Sequence, residues 1–348
     1  YQYSCLLWTI ITRAVLLIWF CRGKPVTVPP RSRKVGGTKM ITYWQMIPNG
    51  LLPLNTFEKG CIVNVTDPTP SEIGILNTTL KVPDDFLADI LDVDERSRME
   101  VEDDMLLMIY RIPYQNQSNG FPFTTIPLGL VLDKNSLVII CHRNNEVLDD
   151  FFSRSGKGIT IETKIDLILH LFIRTTMFYH RYLKQINNQT TIIEQDLEKS
   201  TRNEELHRLL KMEKCLVYFT TSLRSNEAMM LKLKNSKWIR DYEFSSDLLE
   251  EATIENRQAI EMAKIYSDIQ SGMMDAFASV ISNNLNIVMK SLTIVTIVLM
   301  IPTLIASFYG MNVPNRLETN MSAFWFLLGG SVVLAAAAVI LLRRKKWM

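Results

Sequence analysis

Residues 291–315 read SLTIVTIVLMIPTLIASFYGMNVPN, and none of them is charged. A second uncharged stretch, SAFWFLLGGSVVLAAAAVILL, covers residues 322–342. A hydrocarbon core of about 30 Å takes roughly 20 helical residues to cross, and each stretch is long enough. Two transmembrane helices are predicted. The first is not uniformly apolar. Alternating steps of three and four collect Asn286, Met289, Thr293, Thr296, Met300, Thr303, Ser307 and Gly310 on one stripe. A membrane helix with a single polar stripe either packs that stripe on a neighbour or lines water with it. The pattern points to a membrane pore or transporter.

The flanks set the orientation. Arg343, Arg344, Lys345 and Lys346 follow the second run, and Lys290 with a large charged region precedes the first. Basic residues stay on the cytoplasmic side. Both ends of the hairpin are therefore expected in the cytoplasm, as a multi-pass protein of the cell membrane, with the loop at 313–321 outside.

The chain has 348 residues, enough for a sizeable soluble region beside the hairpin. Its 38 basic and 36 acidic residues leave a net charge of +2, which argues against a nucleic-acid binder. Cys5, Cys21, Cys61, Cys141 and Cys215 are scattered without a CxxC pair, as expected of free thiols in a reducing compartment. His142, His170, His180 and His207 have no metal-ligand spacing. Without a nucleophile–base pair or a phosphate loop, the sequence does not read as an enzyme.

Residues 1–39 are set aside from the fold. The apolar run at 5–21 is interrupted by Arg13, which is costly in a membrane helix, and it has no clear signal-peptide cleavage site. Residues 35–39, VGGTK, before Met40 can be encoded with a bacterial ribosome-binding sequence just ahead of a start codon. The segment is expected to be translated upstream DNA.

Residues 40–159 alternate strand-like runs, at 60–65, 105–110, 126–132 and 136–141, with short helical stretches at 71–76 and 84–91. This reads as a small cytoplasmic α/β domain. Residues 160–290 are nearly free of glycine and proline and read as a helical stalk. One helix is expected to run to about Lys199. A second, capped by Thr201 and Glu204, runs to about Lys232. A third, capped by Asp247 and Glu250, can continue without a break into the membrane run at 291–312. The stripe continues down this stalk through Glu261, Ile265, Asp268, Gly272, Asp275, Ser279 and Ser282. An ordinary helix–helix seam would place apolar residues where these carboxylates recur.

The sequence Tyr309-Gly310-Met311-Asn312 at the outer end of a penultimate membrane helix resembles the signature of CorA-type magnesium transporters. The helical stalk before it, and the second helix ending in the basic tail at 343–348, are similar to that family as well. The resemblance spans about residues 40–348 and is sharpest from Asp247 onward. It implies a funnel-shaped homopentamer in the lipid bilayer: an α/β cytoplasmic domain, a long α-helical stalk and two C-terminal transmembrane helices, the first lining the pore. Gly310, Met311 and Asn312 map to the outer selectivity filter. Asp275 and Asn286 map to stations for a hydrated ion, Thr303 to a polar ring, and Met289, Leu292 and Met300 to an apolar constriction. Thr293, Thr296 and Ser307 complete the lining. The family's cytoplasmic Mg²⁺ site, which keeps the pore closed, maps to Asp89 in the stretch Leu87-Ala88-Asp89-Ile90-Leu91 and to Glu251 on the stalk. The implied cargo is Mg²⁺, with Co²⁺, Ni²⁺ or Zn²⁺ as alternatives. A membrane-anchored sensor or structural protein remains open and would need no continuous stripe.

Overall fold

Side-chain alternation along the strands sets the layers. A computed structural model describes residues 41–48, 50–102, 104–116, 120–134, 136–154, 161–199, 203–236, 244–311 and 322–344. The segment 1–39, the cap residue Thr201, the link at 237–243, Asn312, the loop at 313–321 and the tail at 345–348 lie outside the described residues. The chain divides into two units, Tyr1–Lys39 and Met40–Met348, and the description concerns the second.

Its sheet contains β1 (Ile41–Ile47), β2 (Gly50–Leu54), β3 (Ile62–Thr66), β4 (Arg98–Glu102), β5 (Met105–Gln115), β6 (Phe123–Leu132) and β7 (Leu137–Cys141). Their spatial order is β2-β1-β3-β7-β6-β5-β4. The β3–β7 pair is parallel and the other neighbours are antiparallel. Successive strand side chains point to opposite faces. Leu106, Met108, Tyr110 and Ile112 of β5, with Leu137 and Ile139 of β7, join one core. Leu107, Ile109, Val138 and Ile140 join the other. A sheet buried on both faces needs apolar residues at every position, so its central strands read as continuous greasy runs.

The second core is closed by α1 (Pro70–Leu80) and α2 (Asp84–Leu91), through Leu76, Phe86, Leu87 and Ile90. On the opposite face lie α3 (Glu146–Arg154), α4 (Lys164–Lys199), α5 (Asn203–Asn235) and the start of α6 (Ser246–Tyr309). Tyr110 of β5 stacks on Phe172 of α4 with ring centroids 4.1 Å apart.

Gly129 of β6 decides how closely α2 meets the sheet. A Cβ there would sit 2.1 Å from Ile90 Cδ1. Gly129→Val is therefore expected to cost about 1–3 kcal/mol by overpacking and to push α2 off the sheet. Urea unfolding of the variant beside the parent checks this, and an unchanged midpoint would contradict it.

The third stalk helix and the first membrane helix are one element, α6, of 64 residues. At about 1.5 Å per residue it extends close to 100 Å. Its N-cap is Ser245 rather than the expected Asp247. The Ser245 hydroxyl accepts the Leu248 N–H at 3.3 Å, while Asp247 lies in the first turn and complements the helix dipole. The second membrane helix is α7 (Ala323–Arg344).

Candidate cation pathway and cytoplasmic control site

Two stripes on α6 explain how its polar face is presented. Leu249, Ala252, Asn256, Ala259, Ala263 and Gln270 are buried. Apart from Leu249 these are small or amide residues, and the alanines let α6 approach its neighbours closely. Asn256 Nδ2 donates to the Leu223 carbonyl of α5 at 3.0 Å, and Gln270 Nε2 donates to the Leu209 carbonyl at 2.6 Å. The paired numbers run in opposite directions, so the two amides fix the register of antiparallel α5 and α6. A step of five residues, from Asn256 to Glu261 or from Ala263 to Asp268, turns about 140° around a helix of 3.6 residues per turn. The second stripe is thus carried away from α5.

That stripe is bare along its whole length, and since every residue from Ala278 to Thr293 is exposed in the single chain, composition rather than exposure sets it apart there. Glu261, Ile265, Asp268, Gly272, Asp275, Ser279, Ser282, Asn286, Met289, Thr293, Thr296, Met300, Thr303, Ser307 and Gly310 are all exposed. Leu292, beside it, is exposed too. On the membrane part, Ile294 is buried and Pro302, Ile305 and Tyr309 are partly covered. Pro302, Ile305 and Tyr309 line a cavity of about 240 Å³ with Leu328 and Ser331 of α7. The face of α6 toward α7 is therefore apolar, and the polar stripe is left uncovered.

Within the chain, the stripe's threonines bond to their own helix. Thr293, Thr296 and Thr303 donate to the carbonyls of Met289, Leu292 and Leu299 at 2.8, 2.9 and 2.7 Å. Each hydroxyl oxygen keeps acceptor capacity for water. Pro302 lacks an N–H, so the Val298 carbonyl loses its intrahelical donor inside the membrane segment. Gly310 caps the helix with φ −80° and donates its N–H to the Ala306 carbonyl at 2.9 Å. That φ suits any residue, so no left-handed turn explains the glycine. A Cβ would sit 3.2 Å from the Ala306 oxygen, which makes the approach tight. Met311 is exposed beyond it.

The cytoplasmic pair lies on separate elements. Asp89 is on α2 and is ion-paired with Arg98 of β4. Arg98 also pairs with Glu95, and its Nε lies 3.1 Å from Glu100 Oε1. Partial burial opposes the Arg98 charge, but the fields of Asp89, Glu95 and Glu100 prevail and raise its pKa. Glu251 is exposed on the first turns of α6. Among the described residues, no group of three or more His, Cys, Asp or Glu side chains could hold a metal ion within one chain. Asp89 and Glu251 both offer the hard oxygen donors that Mg²⁺ takes, and they lie on separate elements of the one chain.

The sequence reading missed the scaffold behind Asp89. Arg111 Nη1 donates to the Val93 carbonyl at 2.9 Å, and its Nη2 to the Thr125 carbonyl at 2.7 Å. Burial lowers its pKa. Fully buried Asn226 of α5 accepts the Arg111 backbone N–H at 3.0 Å and the Ser97 hydroxyl at 2.6 Å. Its Nδ2 donates to the Arg111 carbonyl at 2.8 Å. The loop before Arg98 is thereby tied to α5, and α5 to α6 through Asn256. No local pattern marks Asn226, because its partners Ser97 and Arg111 lie more than a hundred positions away.

A long stalk helix running into a bare polar membrane stripe, followed by a second apolar helix, defines a membrane-transport architecture. The CorA-like Mg²⁺ transporter profile matches residues 57–344. The chain belongs to that family of divalent-cation transporters. It is 27% identical over 272 residues to the cobalt/magnesium transport protein CorA of Methanocaldococcus jannaschii, covering 76% of this chain and 84% of that one. It is 24% identical over 237 residues to the cobalt/magnesium transport protein CorA of Thermotoga maritima, covering 65% of each. The complete structure of the CorA magnesium transporter from M. jannaschii superposes with a TM-score of 0.74 at 25% identity, over 90% of this chain and all of that one.

Proposed function

We propose that this chain is a channel-like transporter that moves hydrated Mg²⁺ into the cytoplasm. The observation that carries the reading is the uncovered stripe on α6, polar at most positions from Glu261 to Gly310. One helix cannot enclose a path, so copies must assemble around an axis. A homopentamer places residues 291–312 at the centre, residues 322–342 around them and the loop at 313–321 outside. Residues 40–159 and 160–290 then form the cytoplasmic funnel, with both ends of the hairpin inside the cell.

In this assembly Asp275 and Asn286 face the ion through its water. Thr303, with Thr293, Thr296 and Ser307, supplies hydroxyl rings. Met289, Leu292 and Met300 form the apolar constriction, which can close by excluding water. Gly310, Met311 and Asn312 form the outer filter. No chemistry is needed, because a divalent ion crossing 100 mV gains about 4.6 kcal/mol, twice the single-charge value. A regulatory Mg²⁺ would be held by Asp89 of one copy and Glu251 of the next, where its charge offsets their repulsion.

Softer metals prefer softer ligands, and only methionine thioethers on the stripe qualify. Mg²⁺ is therefore the first choice over Co²⁺, Ni²⁺ and Zn²⁺. The test is ion flux into proteoliposomes with the four ions compared. Mg²⁺ flux above that of protein-free vesicles is expected. Flux of Ni²⁺ or Zn²⁺ without Mg²⁺ would replace the cargo, and no flux of any ion would leave a sensor or structural role.

A further inference from the structure

Arg98 already occupies Asp89, the residue assigned above to the shared Mg²⁺ site. Asp89 and Arg98 are directly bonded, and their side chains are 32% and 34% exposed. Solvent ions therefore reach the pair. Arg98 lies on β4, the edge strand of the sheet, and the loop before it is anchored to α5 through Ser97 and Asn226. The backbone that carries Arg98 is therefore held near Asp89, while the side chains can re-pair.

We propose that Arg98 is a built-in competitor for the cation at Asp89, setting the Mg²⁺ concentration at which the transporter closes. The inference rests on Asp89 and Glu251 being the closing pair. A guanidinium neutralises a carboxylate at every ion concentration, whereas a dissolved cation does so only when it is abundant. To bind Asp89, Mg²⁺ must share the carboxylate with Arg98 against like-charge repulsion, or displace it. Displacement is cheap here, because an Arg98 released from Asp89 keeps Glu95 and Glu100 as partners. Exchange thus raises the closing threshold without abolishing closure. The same geometry makes Glu95 and Glu100 opponents of Asp89 for one guanidinium. Weakening them should tighten Arg98 on Asp89.

The test is chymotrypsin protection of the full chain in lipid nanodiscs, titrated with Mg²⁺. Arg98→Gln is expected to lower the half-protecting Mg²⁺ concentration by about five- to tenfold, the scale of an ordinary coupling between sites. Arg98→Lys, which keeps the charge, should stay near the parent value. Glu95→Gln with Glu100→Gln should move the midpoint the other way, to higher Mg²⁺. Because losing two acidic charges weakens cation binding by itself, the same pair of changes is also made in Arg98→Gln, and a shift that persists undiminished there would overturn the role of Arg98. Midpoints that do not move, or that move with the opposite signs, overturn the role of Arg98. If Asp89→Ala with Glu251→Ala still loses protection in that case, the closing pair itself stands. Parent-like protection in that double variant would remove both.

Discussion

Asn312→Ala is expected to abolish or nearly abolish Mg²⁺ uptake while the assembly stays intact. Asn312 follows the helix end at Gly310, at the position proposed above for the outer filter. Mg²⁺ gives up its waters reluctantly and is often bound through them. A ring of neutral amide oxygens can accept hydrogen bonds from that hydration shell without trapping the ion, whereas a carboxylate ring would slow its release. Alanine removes the acceptor and leaves a methyl group. Assembly is expected to survive the change, so the loss should be one of flux and not of fold. Met311→Ala should be milder if that side chain, exposed in the single chain, serves mainly to pack against other copies. The check is flux in liposomes at equal density of assembled protein. Parent-level flux from Asn312→Ala would place selectivity elsewhere.

Loss of Mg²⁺-dependent closure is the second large effect expected, on combining Asp89→Ala with Glu251→Ala. Both carboxylates reach solvent, and they lie on different elements, α2 and α6. Brought together between copies, they repel unless a cation lies between them. With both removed, Mg²⁺ should no longer protect the protein from proteolysis, and flux should persist at Mg²⁺ concentrations that shut the parent. Permeation itself should survive, because both residues lie outside the membrane run at 291–312. Unchanged protection would reject the pair as the sensor.

The parts of this fold that were legible in the sequence are those whose pattern is local. β5, β6 and β7 are buried on both faces, and their apolar runs announced them. The continuity of α6 was visible because only Gly272 and Pro302 interrupt 64 helical residues. β4, with sequence RMEVE, was hidden, since an edge strand carries charges that blunt its open side. β2 contains Pro53, which argues against a strand, whereas β1, with Ile41, Thr42, Tyr43 and Trp44, has the β-branched and aromatic residues of a strand and was missed. α3 was missed as well, though Val147, Leu148, Phe151 and Phe152 have helical spacing. On α6 the exposed stripe was read from its carboxylates and threonines. The buried stripe of Ala252, Asn256, Ala259 and Ala263 passed unnoticed, although it was equally periodic. Small residues and amides do not look like a core until a partner helix is in place. The same holds for Arg98, which in sequence is one basic residue among many acidic ones.

The central claim is that the bare stripe of α6 lines water. Ser307→Cys places a thiol on it near the outer end, and Val333→Cys places one on α7, where Val333 is 67% exposed. Among the described residues the native thiols Cys61, Cys141 and Cys215 are buried, and burial pushes Cys141 up to about 12 and Cys215 up to about 11, so the reactive thiolate forms of these last two are scarce. A charged, membrane-impermeant methanethiosulfonate reagent is added outside proteoliposomes during Mg²⁺ uptake, with the parent chain as background. The expected result is that Ser307→Cys loses most of its flux while Val333→Cys and the parent keep theirs. Equal sensitivity at the two positions, or none at Ser307→Cys, would contradict a water-lined stripe on α6.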